Sequence, residues 1–145
     1  AGKTFFTCCI ANALIDKEIS AYVTTLSNIL NEIQGTWEKQ EIMDKVQNCP
    51  LLVIDDLGME RDTAFGIEQI SNIINARAVS GRPTIFTTNL SMHDLENPKD
   101  ISHRRIYSRV LGMCPIKLSM ETQNRRKLEA EQKRERALKI LGFGE

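Results

Sequence analysis

Leu51-Leu52-Val53-Ile54-Asp55 is the stretch of sequence that decides the fold. A continuous run of leucine and β-branched residues predicts a strand buried on both faces, as at the centre of a parallel sheet. The run ends in two acids, Asp55 and Asp56, and a carboxylate at the end of a buried strand is unfavourable unless it faces a cation. We therefore predict that Asp55 holds Mg²⁺ and that Asp56 orients or deprotonates an attacking water. The alternative is that both acids only cap the loop after the strand.

A second motif, Ala1-Gly2-Lys3-Thr4, stands directly before a predicted helix. It matches the tail of a phosphate-binding loop, in which glycine lets backbone N–H groups crowd the phosphates at a helix N-terminus. In such loops the lysine reaches the β and γ phosphates and the Ser/Thr hydroxyl ligates Mg²⁺. We therefore predict that Gly2, Lys3 and Thr4 bind ATP and that Thr4 is also a metal ligand. Read alone, the tripeptide Gly2-Lys3-Thr4 is a weak signal, since the earlier glycine and the preceding strand of such a loop are absent here.

Thr87-Thr88-Asn89 ends the next apolar strand along the chain. Parallel α/β sheets bind their ligands at the carboxyl ends of their strands, so the Asn89 amide is expected near Asp55. There it can hydrogen-bond the attacking water or the γ-phosphate. An asparagine in the turn after a strand is ordinary by itself, and its place in this series of motifs favours the functional interpretation.

Strands and helices alternate along the rest of the chain, which predicts an α/β fold with a parallel sheet and helices on both faces. The predicted strands cover 21–25, 51–55, 84–88 and 115–119, and the predicted helices cover 4–17, 26–34, 37–47, 61–79, 91–96, 102–111 and 121–141. The last helix is charged and is expected to face solvent. Two other helices carry apolar residues at helical spacing that we expect to be buried. These are Phe6, Ile10, Ala13, Leu14 and Ile15 on the first, and Ile67, Ile70, Ile73, Ile74 and Val79 on the fourth.

The 145 residues, 41% hydrophobic and 26% charged, have a composition sufficient for one globular domain. The 19 basic and 19 acidic residues cancel, so any binding to nucleic acid has to come from local patches. No apolar stretch approaches the roughly 20 residues of a membrane span, and no signal peptide is recognisable. The cysteines form no CxxC pair, which favours buried, reduced thiols in a cytoplasmic protein over a zinc site. They are Cys8, Cys9, Cys49 and Cys114.

Three stretches of the chain together carry a family resemblance. They are 51–61 (Leu-Leu-Val-Ile-Asp-Asp-Leu-Gly-Met-Glu-Arg), 73–77 (Ile-Ile-Asn-Ala-Arg) and 82–91 (Arg-Pro-Thr-Ile-Phe-Thr-Thr-Asn-Leu-Ser). They closely resemble the DnaC/DnaI-type helicase-loader ATPases of bacteria and phages, and the resemblance runs over nearly the whole chain. Generic AAA+ domains lack both the Asp-Asp-Leu-Gly continuation and the Asn-x-Arg before the next strand, so the match is specific.

The resemblance implies a P-loop NTPase (AAA+) parallel sheet flanked by helices, with the first strand and part of the P-loop missing. Residues 1–145 would be an AAA+ ATPase domain, the C-terminal part of a longer protein, with ATP and Mg²⁺ as cofactors. Lys3 and Thr4 would belong to Walker A, Asp55 and Asp56 to Walker B, and Asn89 would be sensor 1. AAA+ enzymes usually have Glu in the place of Asp56. Since the loop amides are missing, ATP turnover by this chain is expected to be weak or absent.

The resemblance assigns further roles to arginines. Arg109 would be the arginine finger, which acts in the site of a neighbouring copy and so implies self-association. Without the family, a solvated pair of Arg105 and Arg109 at i, i+4 is the preferred interpretation. Arg125 would be sensor 2, with Arg126 as the alternative. Arg77 would contact nucleotide or the next subunit, or else form a structural ion pair.

The function implied by the resemblance is an ATP-hydrolysing loader that delivers a DnaB-type replicative helicase to single-stranded DNA in replication. Aromatic residues are only 6% of the chain, so a DNA contact would rest on charge rather than base stacking and would weaken with salt. The basic residues that would supply it are His103, Arg104, Arg105, Arg125, Arg126 and Lys127. Two alternatives stay open: an IstB-like transposition helper ATPase, and a nucleotide-dependent binding scaffold with negligible turnover.

Overall fold

Strands and helices alternate along the chain as predicted. The computed structural model describes residues 2–58, 63–120 and 125–140, and of 125–129 only the backbone. The strands are β1 (Ala21–Thr25), β2 (Leu51–Leu57) and β3 (Thr84–Thr88). The helices are α1 (Lys3–Ile15), α2 (Leu26–Gly35), α3 (Lys39–Asn48), α4 (Ala64–Ser80), α5 (Met92–Glu96), α6 (Ile101–Met113) and α7 (Arg125–Ile140). The predicted start of the fourth helix at residue 61, and the predicted ends of the last helix, lie outside the described residues.

The three strands form one parallel sheet in the order β1-β2-β3. In the central strand β2, Leu52, Val53 and Ile54 each have 0% of their surface exposed. Successive residues of a strand point to opposite faces, so complete burial of neighbours means that both faces of the sheet are covered. The prediction of a central parallel strand, and with it the α/β fold class, is confirmed.

Different helices cover the two faces of the sheet. α1 contacts all three strands, whereas α4 packs against α3 and α6, and α2 contacts both the sheet and α4. The main core lies between β2 and this second group of helices. Its buried side chains are Leu26, Ile29, Leu30, Ile33, Val46, Leu52, Ile54, Leu57, Ile70, Ile73, Ile74, Leu95, Ile106, Tyr107 and Val110.

The apolar stripe predicted for α1 is wrong in large part. Phe6 and Ile15 are 41% and 54% exposed, and Ala13 is exposed as well. The two residues that α1 buries are Thr7 and Ala11, one helical turn apart. Small side chains at i and i+4 let the helix approach the sheet closely, so the larger residues lie to the side of the contact. The other two residues of the predicted stripe are half-buried.

The buried face predicted for the fourth helix is correct except at its end. Ile70, Ile73 and Ile74 of α4 are buried, and Ile67 packs half-buried against the core. Val79 is 80% exposed. It follows Ile74 by five residues, which turns it roughly 140° around the helix and away from the core.

Arg77 of α4 is completely buried, with 0% of its surface exposed. Its guanidinium donates hydrogen bonds to the last turn of α3, to the α3–β2 loop and to the chain at the start of β3. The acceptors are the carbonyl oxygens of Val46, Gln47, Cys49, Pro50 and Pro83, at 2.5–3.4 Å, and Oγ1 of Thr84 at 2.9 Å. Burial lowers the pKa of Arg77 from its ordinary value. A side chain with none of its surface exposed reaches neither a nucleotide nor another subunit, and it pairs with no carboxylate of the described residues. Both roles predicted for Arg77 are therefore wrong.

Residues 115–119 do not form the predicted strand, because the chain from 114 to 120 has no regular structure. Ile116 and Leu118 are 80% and 69% exposed. The alternation of apolar and polar residues there is typical of a strand, but a strand also needs a neighbour, and β3 pairs with β2 alone among the described strands. For the same reason β3 is less buried than predicted: Thr87 is buried, and the rest of the strand is half-buried.

The four cysteines carry free thiols, as predicted, but none is fully buried. Cys9 is exposed, and the other three are half-buried. Partial burial raises the pKa of Cys49 and Cys114.

The charged helix α7 is exposed from Ala130 to its end, as predicted. Within the described ranges, no helix combines the length and the apolar character needed to cross a membrane.

Candidate functional site

The first turn of α1 meets the end of β2 through a hydrogen bond between Thr4 and Asp55. Oγ1 of Thr4 lies 2.8 Å from Oδ2 of Asp55 and 3.1 Å from its Oδ1. A hydroxyl has a single proton, so Thr4 donates mainly through the shorter contact and keeps its own lone pairs for another group. The fold thus brings together the two residues that the sequence predicts as metal ligands.

Gly2 and Lys3 begin the same helix. Gly2 is the N-cap residue of α1, with φ 95° and ψ −6°, and its carbonyl accepts a hydrogen bond from the Phe6 N–H at 2.9 Å. A positive φ of this size strongly favours glycine. Lys3 is the first residue of the helix and is half-buried. The N–H groups of a first helical turn have no partner within the helix, so this end of α1 suits an anion such as a phosphate.

Asp55 and Asp56 lie in a β-bulge. The pairing of β2 with β3 passes from Ile54 opposite Phe86 to Leu57 opposite Thr88. Two residues of β2, Asp55 and Asp56, therefore share the single residue Thr87 of β3. Bulges interrupt the regular hydrogen bonds between strands, and they recur next to active sites because they redirect side chains.

Thr87 occupies the bulge with its side chain. Its hydroxyl donates a hydrogen bond to Oδ1 of Asp55 and accepts one from the backbone N–H of Asp56 at 3.0 Å. Thr87 is 5% exposed. Sequence reasoning did not select this residue. The available signal was a hydroxyl within a strand predicted to be buried, where a polar group needs a partner.

Asp56 differs from Asp55 in exposure and backbone. It is exposed, whereas Asp55 is half-buried. Its φ of 56° lies in the left-handed region, which few residues other than glycine, asparagine and aspartate adopt. Positions of this kind are concentrated at active and binding sites. The two acids therefore have the unequal surroundings that their two predicted roles require.

The Leu-Gly continuation after the two acids has a structural cause. Gly58 has φ 95°, and a Cβ atom placed on it would lie 2.6 Å from Cδ1 of Leu90. On the facing strand, Thr88 donates a hydrogen bond to the carbonyl of Leu57 at 2.7 Å and accepts one from the N–H of Leu90 at 3.0 Å. These contacts fix the chain just beyond the two acids against the chain just beyond β3.

Asn89 follows β3 directly and is exposed. Because β2 and β3 are parallel, it lies at the same edge of the sheet as Asp55 and Asp56. This is the edge at which α/β folds bind their ligands.

The donors at this edge suit Mg²⁺ held together with phosphates. In the described part of the chain, no group of three or more His, Cys, Asp or Glu side chains can hold a metal ion. Mg²⁺, however, usually takes only one or two carboxylates and completes its shell with waters and substrate phosphates. The Asp55 carboxylate and the Thr4 hydroxyl, in mutual contact beside a helix N-terminus, are a donor set of that kind.

The other predicted arginines lie on the last two helices of the chain, α6 and α7. Arg105 and Arg109 are exposed on α6, whose opposite side packs into the core. Neither has an ion-pair partner among the described residues. Arg125 is the first residue of α7, and its side chain, like that of Arg126, lies outside the described residues.

Comparison with known proteins identifies the type of protein. No protein-family model matches the chain. The replicative helicase loader DnaI of Bacillus subtilis (strain 168) is 30% identical over 136 residues, which are 84% of this chain and 44% of that protein. A crystal structure of DnaI superposes with a TM-score of 0.61 and 25% identity, over 75% of this chain and 62% of the DnaI chain. The chain is of the DnaC/DnaI type.

A second relative agrees with this. The replicative helicase loader DnaC of Escherichia coli (strain K12) is 26% identical over 99 residues, 65% of this DnaC/DnaI-type chain and 40% of DnaC. The chain spans less than half the length of these curated relatives. Helicase loaders are members of the AAA+ ATPases, and the parallel sheet flanked by helices is the AAA+ P-loop fold. The resemblance and the fold predicted from the sequence are both confirmed.

Proposed function

We propose that this chain is the ATPase domain of a helicase loader, which binds and hydrolyses ATP with Mg²⁺ and delivers a DnaB-type replicative helicase to single-stranded DNA. The observation that carries the proposal is the hydrogen bond between Thr4 and Asp55. It joins the helix start expected to hold phosphates to the strand end expected to hold the metal. The names of the relatives, both replicative helicase loaders, support the partner.

In this proposal the residues at the start of α1 bind the nucleotide. The backbone N–H groups from Gly2 onward and the ammonium of Lys3 bind the phosphates of ATP. The hydroxyl of Thr4 and the carboxylate of Asp55 hold Mg²⁺. When bound, the ion neutralises charge that develops on the phosphates.

The proposed hydrolytic residues lie at the same sheet edge. Asp56 is exposed there, so its carboxylate is free to orient a water and accept its proton. Asn89 follows the neighbouring strand, where its amide can hydrogen-bond that water or the γ-phosphate. Asp56 thus accepts the proton, and both residues orient the water.

The arginines and basic residues supply the contacts with other molecules in this proposal. Arg109 acts as an arginine finger in the site of a second copy, and its exposure on α6 leaves it available for that role. Arg125 is proposed as sensor 2. The exposed Arg104 and Arg105 contribute to a salt-dependent contact with single-stranded DNA. A cytoplasmic location is part of the same proposal.

Nucleotide binding tests the proposal at its base. We expect a fluorescent ATP analogue to bind the wild-type chain more tightly with Mg²⁺ than with EDTA. Asp55→Asn should remove most of this difference, weakening binding about tenfold in Mg²⁺, because a neutral amide is a poor ligand for the ion. Asp44→Asn is the matched control, since Asp44 is an exposed acid on α3 whose carboxylate accepts a hydrogen bond from Gln40. The proposal fails if Mg²⁺ does not affect binding to the wild-type chain.

Helicase and DNA binding are tested separately. A DnaB-type helicase should be retained by the immobilised chain in ATP and Mg²⁺. Single-stranded DNA should bind more weakly as salt rises, and Arg104→Gln with Arg105→Gln should reduce the slope of that dependence. A salt-independent affinity contradicts the DNA contact. Nucleotide binding without helicase binding in any nucleotide state contradicts the loader.

A further inference from the structure

The hydroxyl of Thr87 contacts both acids of the site at once. It donates to Oδ1 of Asp55 and accepts from the N–H of Asp56. A threonine hydroxyl has one proton and two lone pairs, so these two bonds use its proton and one lone pair. Thr87 is 5% exposed, which leaves little access for water to replace either bond.

The bond to Asp55 has a consequence for the carboxylate. One oxygen, Oδ1, accepts from Thr87, and the other, Oδ2, accepts from Thr4 at 2.8 Å. Two donors on opposite oxygens restrict rotation of the carboxylate plane. Thr87 therefore helps to hold Asp55 in the orientation that faces α1.

The bond to Asp56 compensates for the bulge. Between Ile54 and Leu57 the regular pairing with β3 is interrupted, and Asp56 takes a φ of 56°. A left-handed aspartate persists where its surroundings impose it. The Thr87 hydroxyl gives the Asp56 N–H a hydrogen-bond partner at 3.0 Å, and so stabilises the turn that leaves the Asp56 side chain exposed.

We propose that Thr87 is a positioning residue, which orients the Asp55 carboxylate toward Thr4 and Mg²⁺ and fixes the backbone of Asp56 at the sheet edge. The part of this inference that concerns Mg²⁺ rests on the proposed function. The part that concerns the Asp56 backbone is independent of it.

Thr88 offers a matched control for a purely structural role. It is the next residue of β3, and its hydroxyl also donates one hydrogen bond and accepts one, to the carbonyl of Leu57 and from the N–H of Leu90. Among the residues that the structure describes, no carboxylate hydrogen-bonds the Thr88 hydroxyl. Thr87→Val and Thr88→Val thus remove the same chemical group from neighbouring positions, and only the first removes a contact with the acids.

The experiment compares Thr87→Val, Thr87→Ser and Thr88→Val by two measurements. The first is hydrogen exchange of the Asp56 amide without nucleotide, measured by NMR. We expect it to be faster in Thr87→Val and near the wild-type rate in the other two. The second is the Mg²⁺ concentration that half-saturates ATP-analogue binding, set against the affinity in EDTA. We expect Thr87→Val to raise this Mg²⁺ concentration about tenfold and to leave the nucleotide affinity measured in EDTA nearly unchanged. Thr87→Ser should return the Mg²⁺ concentration to the wild-type value.

The outcomes separate this inference from the proposed function. If the wild-type chain shows no Mg²⁺-dependent binding, the proposed function fails. The hydrogen-exchange rate of the Asp56 amide still shows whether Thr87 fixes that backbone. Equal effects of the two valine variants on both measurements overturn the positioning role. Failure of Thr87→Ser to restore either measurement also overturns it, because serine retains the hydroxyl.

Discussion

The Thr4 hydroxyl donates a hydrogen bond to the Asp55 carboxylate, although the two residues are 51 positions apart in the chain. One lies in the first turn of a helix and the other at the end of the central strand. The contact therefore depends on how α1 lies against the sheet. It defines the place where we expect metal and phosphate to meet.

Removing the Thr4 hydroxyl should weaken nucleotide binding only when Mg²⁺ is present. For Thr4→Ala we expect a loss of about tenfold in ATP affinity with Mg²⁺, since one oxygen ligand is lost, and little change in EDTA. Thr4→Ser keeps the hydroxyl and should bind nearly as the wild type does. Fluorescence titration of an ATP analogue measures both. Equal affinities of the alanine and serine variants in Mg²⁺ would rule out Thr4 as a ligand.

Asp56→Asn should separate hydrolysis from binding. The amide can still accept a hydrogen bond but is a far weaker base, so we expect phosphate release, which should already be slow in the wild-type chain, to fall further. ATP affinity with Mg²⁺ should stay near that of the wild type. Phosphate release and nucleotide titration on the same preparations check the two statements. An unchanged hydrolysis rate would contradict the role assigned to Asp56 in activating water, and would favour a binding scaffold with negligible turnover.

Arg77 should be among the most sensitive positions for stability. Arg77→Met leaves several carbonyl oxygens around the α3–β2 loop without a donor, so we expect the free energy of unfolding to fall by about 3 kcal/mol or more. Arg77→Lys should recover only part, because an ammonium has three donors and no planar fork. Urea unfolding followed by circular dichroism measures both. Arg82→Met, at an exposed position, is the control and should change little. Equal midpoints for the two methionine variants would contradict the structural role.

Gly58→Ala should destabilise the chain for two reasons that can be separated. The φ of 95° disfavours any Cβ, and the new methyl group would lie 2.6 Å from Cδ1 of Leu90. We expect a loss of about 1–3 kcal/mol. Adding Leu90→Ala should relieve the clash but not the backbone strain, and a double-mutant cycle in urea measures that coupling. Gly35→Ala has no neighbour within 4 Å and should be tolerated. Additive effects of Gly58→Ala and Leu90→Ala would show that no clash exists.

Acid should weaken the start of α6 through Asp100. Oδ1 of Asp100 accepts from the His103 N–H at 2.9 Å, and its Oδ2 lies 2.5 Å from Nδ1 of His103. These bonds, the backbone bond first, hold the pKa of Asp100 below its ordinary value of 3.8. A carboxyl group whose pKa is lower in the folded state than in the unfolded state stabilises the folded protein at pH values above its ordinary pKa. This stability is lost as the pH falls through the pKa of the folded state.

The Asp100 prediction is checked by measuring unfolding midpoints between neutral pH and about pH 2. The wild type should lose stability more steeply than Asp100→Asn below pH 3.8. Asparagine still caps a helix but has no proton to bind in this range. Parallel curves for the two proteins would contradict the linkage.

A structural element could be predicted from the sequence where its formation depends on neighbouring residues alone. The run from Leu51 to Ile54 predicted a central strand, because burial on both faces requires an unbroken apolar segment. The alternation at 115–119 predicted a strand that does not form, since pairing depends on a neighbour that a local pattern does not specify. On α1 the apolar residues were visible, but the face in contact with the sheet is lined by Thr7 and Ala11.

The residue types of the candidate site could be predicted from the sequence, but the hydrogen bonds between them could not. Lys3, Thr4, Asp55 and Asp56 were selected from motif and spacing. Thr87 was missed because its role arises only when a bulge sets it opposite two residues of β2. Arg77 was misjudged for a similar reason, since four of its acceptors lie 27 to 31 positions away in the chain.

The sequence by itself determined the order of the helices and of the three strands that form, the central strand and the kind of protein, because hydrophobic periodicity and short motifs are properties of neighbouring residues. Only the tertiary structure decided that Thr4 and Thr87 bind opposite oxygens of Asp55, that Asp56 takes a left-handed backbone, and that Arg77 is buried. These features depend on the register between strands and on the approach of helix to sheet. Both are set by packing across the whole chain, which no local pattern contains.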